Sequence, residues 1–431
     1  MPLTILNINS MGAGTRYTST ADDTDYTVLR DVIVASSSND GFGFYLTGNN
    51  NDVEVRGTVS ALYPAFLGGG QDDVGEHLHV KATGALIGSF TGASLYGSSR
   101  VENEGEIRGV TYGLALNLGA TSTGRIVNDG LIQGYETGLV TSGLSGAIAT
   151  LINDGTIQGG LRSYSGREGE DRVTNTGRMI GDVLLGEGND RFDNRGGLVR
   201  GTVHGGLGDD VFVPGASAEA FSGGVMGGTL TAGDGMDTLV FASRSGVRVS
   251  LTDSDGSGNT GWAKGDAYLG FEQVLGSDGG SDVLIGDDLA NRLEGRRGAD
   301  TLLGRAGEDS LAGGGGWDRL TGGAGDDQFV YTSPKHGGDR ITDFGSDSGN
   351  NDSIRIDASS FGGSLMAGDL EASQFRTRGD NRARDGNDRF IFRTTDETLW
   401  FDRNGSADGG LIQLADLQDG ARVSYTDIYL F

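Results

Sequence analysis

The sequence predicts an all-β protein: a right-handed parallel β-helix (β-solenoid) that continues into a β-roll and ends in a C-terminal β capping module. Three observations carry this reading. An aspartate recurs at a fixed nonapeptide period at Asp300, Asp309, Asp318 and Asp327, with a large apolar residue always two places later. The frame N-x-G-x-Φ, where Φ is apolar, starts at Asn103, Asn128, Asn153, Asn175 and Asn194. The 431 residues include 80 glycines but only 4 prolines, which points to tight turns repeated many times and not to linkers or collagen-like chain. Hydrophobic content of 35% is low for a compact globule and suits a solenoid, whose core is one thin stripe per coil.

The nonapeptide period covers six consecutive nonads from Ser277 to Val330: "SDGGSDVLI", "GDDLANRLE", "GRRGADTLL", "GRAGEDSLA", "GGGGWDRLT" and "GGAGDDQFV". Position six holds Asp282, Asn291, Asp300, Asp309, Asp318 and Asp327; position eight holds Leu284, Leu293, Leu302, Leu311, Leu320 and Phe329. A nonad is not a whole number of helical turns, so a helix would scatter this pattern around its axis. A turn followed by a short strand keeps it in register, with only the middle strand residue pointing inward. Two nonads then close one flattened coil with a loop at each end.

These nonads resemble the G-G-x-G-x-D-x-U-x repeat of RTX (repeats-in-toxin) proteins, and "GGAGDDQFV" fits every position. The resemblance implies calcium, and the chemistry agrees. Calcium takes six to eight hard oxygens, and glycine loops turn their carbonyls inward without steric penalty. One loop supplies too few ligands, whereas two loops stacked on the same edge supply enough. Same-edge neighbours lie two nonads apart, which pairs Asp282 with Asp300 and Asp300 with Asp318 on one side. On the other side Asn291 pairs with Asp309 and Asp309 with Asp327. Asn291 lacks a charge and its nonad lacks the glycine at position four, so that site is expected to be weaker. The alternative is a row of solvated turn aspartates.

A looser ladder lies upstream. "LGEGNDRFD" and "GGLGDDVFV" place Asp190 and Asp210 in the same role, with Asp171 before them and Asp237 after. Here each coil contributes one calcium-type loop, and the N-x-G-x-Φ repeat supplies the rest. The N-x-G-x-Φ copies are evenly spaced from Asn103 to Asn153 and then draw closer, which suits coils that differ only in loop length. Asn and Gly tolerate left-handed backbone there, and stacked Asn side chains can hydrogen-bond between coils. These asparagines read as structural. The expected layout is a cap or first strands over 1–50, β-helix over 51–214 and an irregular bridge over 215–276. The β-roll follows over 277–332 and the C-terminal module over 333–431. In the bridge, "DSDGSG" (253–258) is discounted as a calcium loop of the EF-hand kind, because Lys264 stands where a glutamate is needed.

After Pro334, Asp339, Ile341, Asp343, Phe344, Asp352, Ile354, Ile356 and Asp357 match a D-x-I-x-D-F … D-x-I-x-(I/L)-D segment. That segment follows the repeats in serralysin-type and other RTX proteins. "DETLWFDRNGSADGGLIQLADL" is similar to the family's closing hairpin, and "SYTDIYLF" looks like its uncleaved C-terminal signal for type I secretion. The module is expected to cover the open edge of the last coil. The resemblance implies export through the type I machinery and folding on extracellular calcium.

Composition narrows the function. The formal charge is −27, from 60 acidic against 33 basic residues, which argues against nucleic acid, since phosphate binding needs a basic face. Carboxylates at this density repel one another unless cations bridge them. There are no cysteines, so disulfides and thiolate metal sites are excluded. "MPLTILNINSMGAG" is no Sec signal, and no stretch approaches the ~18 apolar residues of a membrane span. No H-E-x-x-H, G-x-S-x-G or P-loop occurs. His77 and His79 lie two apart on one strand face without a third ligand, and read as solvent-facing strand residues. A β-helix face could still carry polysaccharide lyase or epimerase chemistry, with Tyr63, His77, His79, Lys81, Tyr164 and Arg167 as candidates. The reading preferred here is a non-enzymatic, secreted calcium-binding protein acting in adhesion or biofilm formation. Its partner would be a cell surface, a polysaccharide or an abiotic surface.

Overall fold

The structure is a computed structural model that describes residues 3–38, 41–69, 74–215, 220–222, 236–253, 256–345, 350–407 and 409–431. Parts of the expected bridge (216–219, 223–235), of "DSDGSG" (254–255), of the post-repeat segment (346–349) and of the closing hairpin (408) lie outside these residues. The chain is all-β, with 50% strand and 4% helix, and its solenoid turns number about 14. It divides into two compact units, Met1–Asp237 and Thr238–Phe431.

In the N-terminal unit each coil carries up to three short strands, and each strand pairs in parallel with its counterpart one coil on. Asp52–Val55, for example, pairs with Asp25–Val28 on one side and with His77–Val80 on the other. The strand Thr58–Ala61 likewise leads to Ala85–Gly88 and Glu106–Gly109. Coiling begins at Leu3–Leu6, which pairs with Asp25–Val28. The side-chain period of two sends alternate residues inward, so Val53, Leu78, Val101, Ile126 and Leu151 form one buried column. Ile107, Ile132 and Ile157 form another.

The N-x-G-x-Φ repeat sits at the corner after each strand of the first column. Asn103, Asn128, Asn153 and Asn175 each end a strand. Each donates through its side-chain amide to the Oδ1 of the next, at 2.7, 2.7, 2.6 and 2.5 Å, as far as Asn194. The glycine two places on is required by coil spacing: a Cβ on Gly130 would stand 2.2 Å from the carbonyl oxygen of Gly105.

In the C-terminal unit the nonads form two parallel sheets. One stacks Val283–Ile285, Thr301–Leu303 and Arg319–Thr321; the other stacks Arg292–Glu294, Ser310–Ala312 and Gln328–Val330. All six position-eight residues are buried, at 0–1% exposure. The stack extends past the nonads at both ends. Before them, Arg248–Ser250 pairs with Val283–Ile285 and Gln273–Leu275 with Arg292–Glu294. After them, Arg340–Ile341 pairs with Arg319–Leu320 and Ser353–Ile356 with Gln328–Tyr331. The post-repeat segment is thus itself a further coil. Covering falls to the strands after it. Leu411–Asp416 and Ile428–Leu430 pair onto that coil, and Thr398–Asp402 and Phe390–Arg393 continue as an antiparallel meander.

Candidate metal centre

The position-six aspartates are buried, between 0 and 2% exposed for Asp282, Asp300, Asp309, Asp318 and Asp327, and Asn291 is 3% exposed. What holds them is the stacking of coils. The backbone N–H of Asp282 donates to Asp300 Oδ1 at 2.7 Å, and that of Asp300 to Asp318 Oδ1 at 2.8 Å. On the other edge Asn291 donates to Asp309 Oδ1 at 2.8 Å and Asp309 to Asp327 Oδ1 at 2.9 Å. Neighbours two nonads apart are therefore the ones brought together, linked from main chain to carboxylate.

The second carboxylate oxygen behaves differently. Oδ2 of Asp300, Asp309, Asp318 and Asp327 is buried without a hydrogen-bond partner. It faces the first glycine of its own nonad. A Cβ on Gly295 would lie 2.4 Å from Asp300 Oδ2 and 2.7 Å from the carbonyl oxygen of Gly313. The corresponding distances at Gly304 are 2.2 Å to Asp309 Oδ2 and 2.5 Å to the Gly322 carbonyl. Carboxylate and carbonyl oxygens thus converge on a cradle kept open by glycine. Burying an ionised oxygen with no donor is costly, and a hard cation satisfies such an all-oxygen donor set. Among the described residues no group of three His, Asp or Glu side chains could hold a metal ion alone. Backbone carbonyls would have to complete any site, as the cradle provides.

Two positions differ. Asp282 Oδ2 accepts from the Ser277 backbone N–H at 2.7 Å and from its hydroxyl at 3.1 Å, because serine replaces glycine at the start of that nonad. Asn291 Oδ1 accepts from the Asp287 N–H at 2.8 Å. Both side chains already have protein partners.

The upstream ladder repeats the geometry in the N-terminal unit. Asp171 donates through its backbone to Asp190 Oδ1 at 2.7 Å, Asp190 to Asp210 Oδ1 at 2.8 Å, and Asp210 to Asp237 Oδ1 at 2.9 Å. Oδ2 of Asp171, Asp190 and Asp210 is buried without a hydrogen-bond partner. Tyr164, a candidate catalytic residue from sequence, is 0% exposed. Its hydroxyl lies 2.9 Å from Thr141 Oγ1, beneath Asp171, and cannot face a substrate.

Burial raises the carboxyl pKa throughout. Desolvation, with neighbouring carboxylates adding to it and backbone donors opposing it, pushes Asp300 and Asp327 up to about 7 and Asp190 up to about 8. Desolvation likewise takes Asp210 to about 7 and Asp309 to about 6, and raises Asp318 and Asp171.

Sequence reasoning missed two members. Asp318 donates through its backbone to Asp339 Oδ1 at 3.0 Å, and Asp327 to Asp352 Oδ1 at 3.0 Å. Each ladder therefore runs one coil past the nonads, at spacings of 21 and 25. Their signal was the Asp-x-Ile frame, which places an apolar residue two after the aspartate just as a nonad does.

His77 and His79 lie outside the ladders, on an outward face. His77 Nδ1 is 2.6 Å from Asp52 and His79 Nε2 is 2.9 Å from Glu104, so carboxylates of neighbouring coils hold both rings.

The RTX calcium-binding nonapeptide repeat (4 copies) family matches residues 277–311 and 294–329. No curated protein matches the chain. No helix among the described residues is long and apolar enough to cross a membrane. The matched residues hold the nonad ladders from Asp282 to Asp327, and RTX nonapeptide repeats bind calcium: the chain carries a block of RTX-type calcium-binding repeats.

Proposed function

We propose that this is a secreted protein that folds on extracellular calcium and acts without catalysis at the cell surface or in the matrix, in adhesion or biofilm formation. In this reading Asp300, Asp309, Asp318 and Asp327 hold calcium with glycine carbonyls of adjacent loops. Asp282 and Asn291 hold it more weakly, and Asp190, Asp210, Asp171 and Asp237 form an upstream set. The observation that carries the proposal is the row of buried carboxylate oxygens without a hydrogen-bond partner. Without cations the ladder is a column of desolvated like charges; with them, binding free energy becomes folding free energy.

Export fits the same physics. A chain without cysteines whose ladders stay open at cytosolic calcium can be threaded unfolded and close outside. The lyase or epimerase reading gains no support, since Tyr164 is buried and both histidines are engaged by carboxylates. Circular dichroism with calcium and with EGTA tests the folding claim: the β-sheet signal should fall on chelation, as the calcium-dependent coils are destabilised and the asparagine-laddered coils persist. An unchanged spectrum and melting temperature would sink it. Surface attachment of a deletion strain against its parent, with and without calcium, tests the adhesive role. Equal attachment by the two strains counts against that role.

A further inference from the structure

The outward face of the sheet built from Arg292–Glu294, Ser310–Ala312 and Gln328–Val330 carries a cleft of about 380 Å³. Its shape follows from register. Arg292 stands opposite Ser310 and Ser310 opposite Gln328, while Glu294 stands opposite Ala312. The middle strand therefore presents a hydroxyl and a methyl between two strands that carry long side chains. A slot two strand spacings wide, roughly 10 Å, is left between the flanking strands. Arg355 closes one wall: it donates to Gln328 Oε1 at 3.2 Å, and its guanidinium lies 5.4 Å from the centre of the Phe431 ring. His336 and Thr332, 3.2 Å apart through Nδ1 and Oγ1, close the end.

The charge of this cleft opposes that of the chain. In a molecule of net charge −27, three guanidiniums (Arg292, Arg296, Arg355) line it against one side-chain carboxylate, Glu294. Arg296 is held by Asp278 at 2.8 Å, whereas neither Arg292 nor Arg355 has an ion-pair partner among the described residues. An adjoining concavity shares Glu294, Arg296 and His336 and adds Asp278, Arg297, Gly315 and Lys335.

We propose that this cleft binds a carboxylated sugar unit of an acidic polysaccharide. Guanidinium forks match a carboxylate bidentately. Ser310, Gln328 and Thr332 offer neutral partners for ring hydroxyls, and Glu294 accepts from hydroxyls while repelling a dianion such as phosphate. The short-side-chain floor admits a flat ring, and the half-exposed Phe431 gives it an apolar wall. Such a balance of few charges and several neutral polar groups is that of a small-molecule subsite. The inference names a partner class for the surface-acting protein proposed above, and it needs the calcium-folded roll but not the adhesive role.

Titration calorimetry of the full chain in millimolar calcium tests it, with a hyaluronan tetrasaccharide, a neutral cellotetraose and inorganic phosphate as probes. The uronate probe should bind at least tenfold more tightly than either of the others. Arg292→Gln with Arg355→Gln should weaken it at least tenfold, and so should Ala312→Trp, which fills the slot and removes no charge. Arg319→Gln, on the other sheet, should leave it unchanged. No binding, equal binding of cellotetraose or phosphate, or indifference to Ala312→Trp overturns the proposal. Circular dichroism of the same samples separates the two claims. A chain that binds the uronate yet stays folded in EGTA refutes calcium-dependent folding alone, and one that folds on calcium without binding refutes the cleft alone.

Discussion

The asparagine ladder of the N-terminal unit and the aspartate ladders of the nonads occupy comparable places, a buried polar residue repeated at one corner of every coil. They differ by one atom type, and that decides their chemistry. An amide both donates and accepts, so Asn103, Asn128, Asn153 and Asn175 each donate to the next, as far as Asn194, and of these five residues Asn103, first in the ladder, keeps an Oδ1 without a hydrogen-bond partner. A carboxylate only accepts. One oxygen of Asp300 or Asp309 is satisfied by a backbone N–H, and the other is left buried without a hydrogen-bond partner. The first ladder links donor to acceptor from coil to coil; the second leaves one buried oxygen on each of these aspartates open to a cation. A solenoid can thus be built self-sufficient or conditional by the choice between Asn and Asp at one position.

The largest test of this contrast is calcium removal followed by hydrogen exchange. Amides of residues 277–345 and 350–352 should lose protection in EGTA, while the coils spanning Asn103 to Asn153 keep most of theirs. Equal loss in both would break the comparison. Next comes an exchange of chemistry in the self-sufficient ladder. Asn128→Asp removes a donor and buries a charge, and is expected to cost about 3 kcal/mol, read as a lowered denaturation midpoint. Leu302→Ala should cost about 3 kcal/mol in the calcium-bound form by opening a cavity in the core stripe. The reverse exchange, Asp300→Asn, should lower calcium affinity by at least tenfold in titration while raising the melting temperature in EGTA.

The smallest effect is that of pH. Burial pushes Asp300 and Asp327 to about 7 and Asp309 to about 6, above the unfolded value of about 4. The calcium-free folded state then holds more protons than the unfolded chain, so its stability falls as pH rises from about 4 to 7 and levels off above. Melting in EGTA should therefore be higher at pH 5 than at pH 8. With calcium the sign reverses, because the ligands must be deprotonated. Affinity should rise over this range, with proton release measurable in buffers of different ionisation enthalpy.

Much of this was legible beforehand because a strict period constrains geometry. A nonad with Asp at position six and Leu at position eight admits one stacking, so the loop partners and the buried stripe followed from counting. In the sequence Asp339 and Asp352 read as part of a capping segment, because their spacings of 21 and 25 break the period. A longer loop does not change which strand stacks on which, but it hides the fact. Tyr164 reads in the sequence as a surface candidate, but a register irregularity in its strand buries it together with the adjacent Ser163.

The sequence by itself determined the repeating unit, the residue type at each corner and a row of turn carboxylates suited to a hard cation, since these depend only on local turn chemistry and period. Tertiary structure alone decided which carboxylate oxygens lack a donor and how far the ladders run. It also decided that Ser310 and Ala312 fall between rows of long side chains to open a basic cleft. Those outcomes depend on the register between coils, and register joins residues at least two nonads apart in the chain.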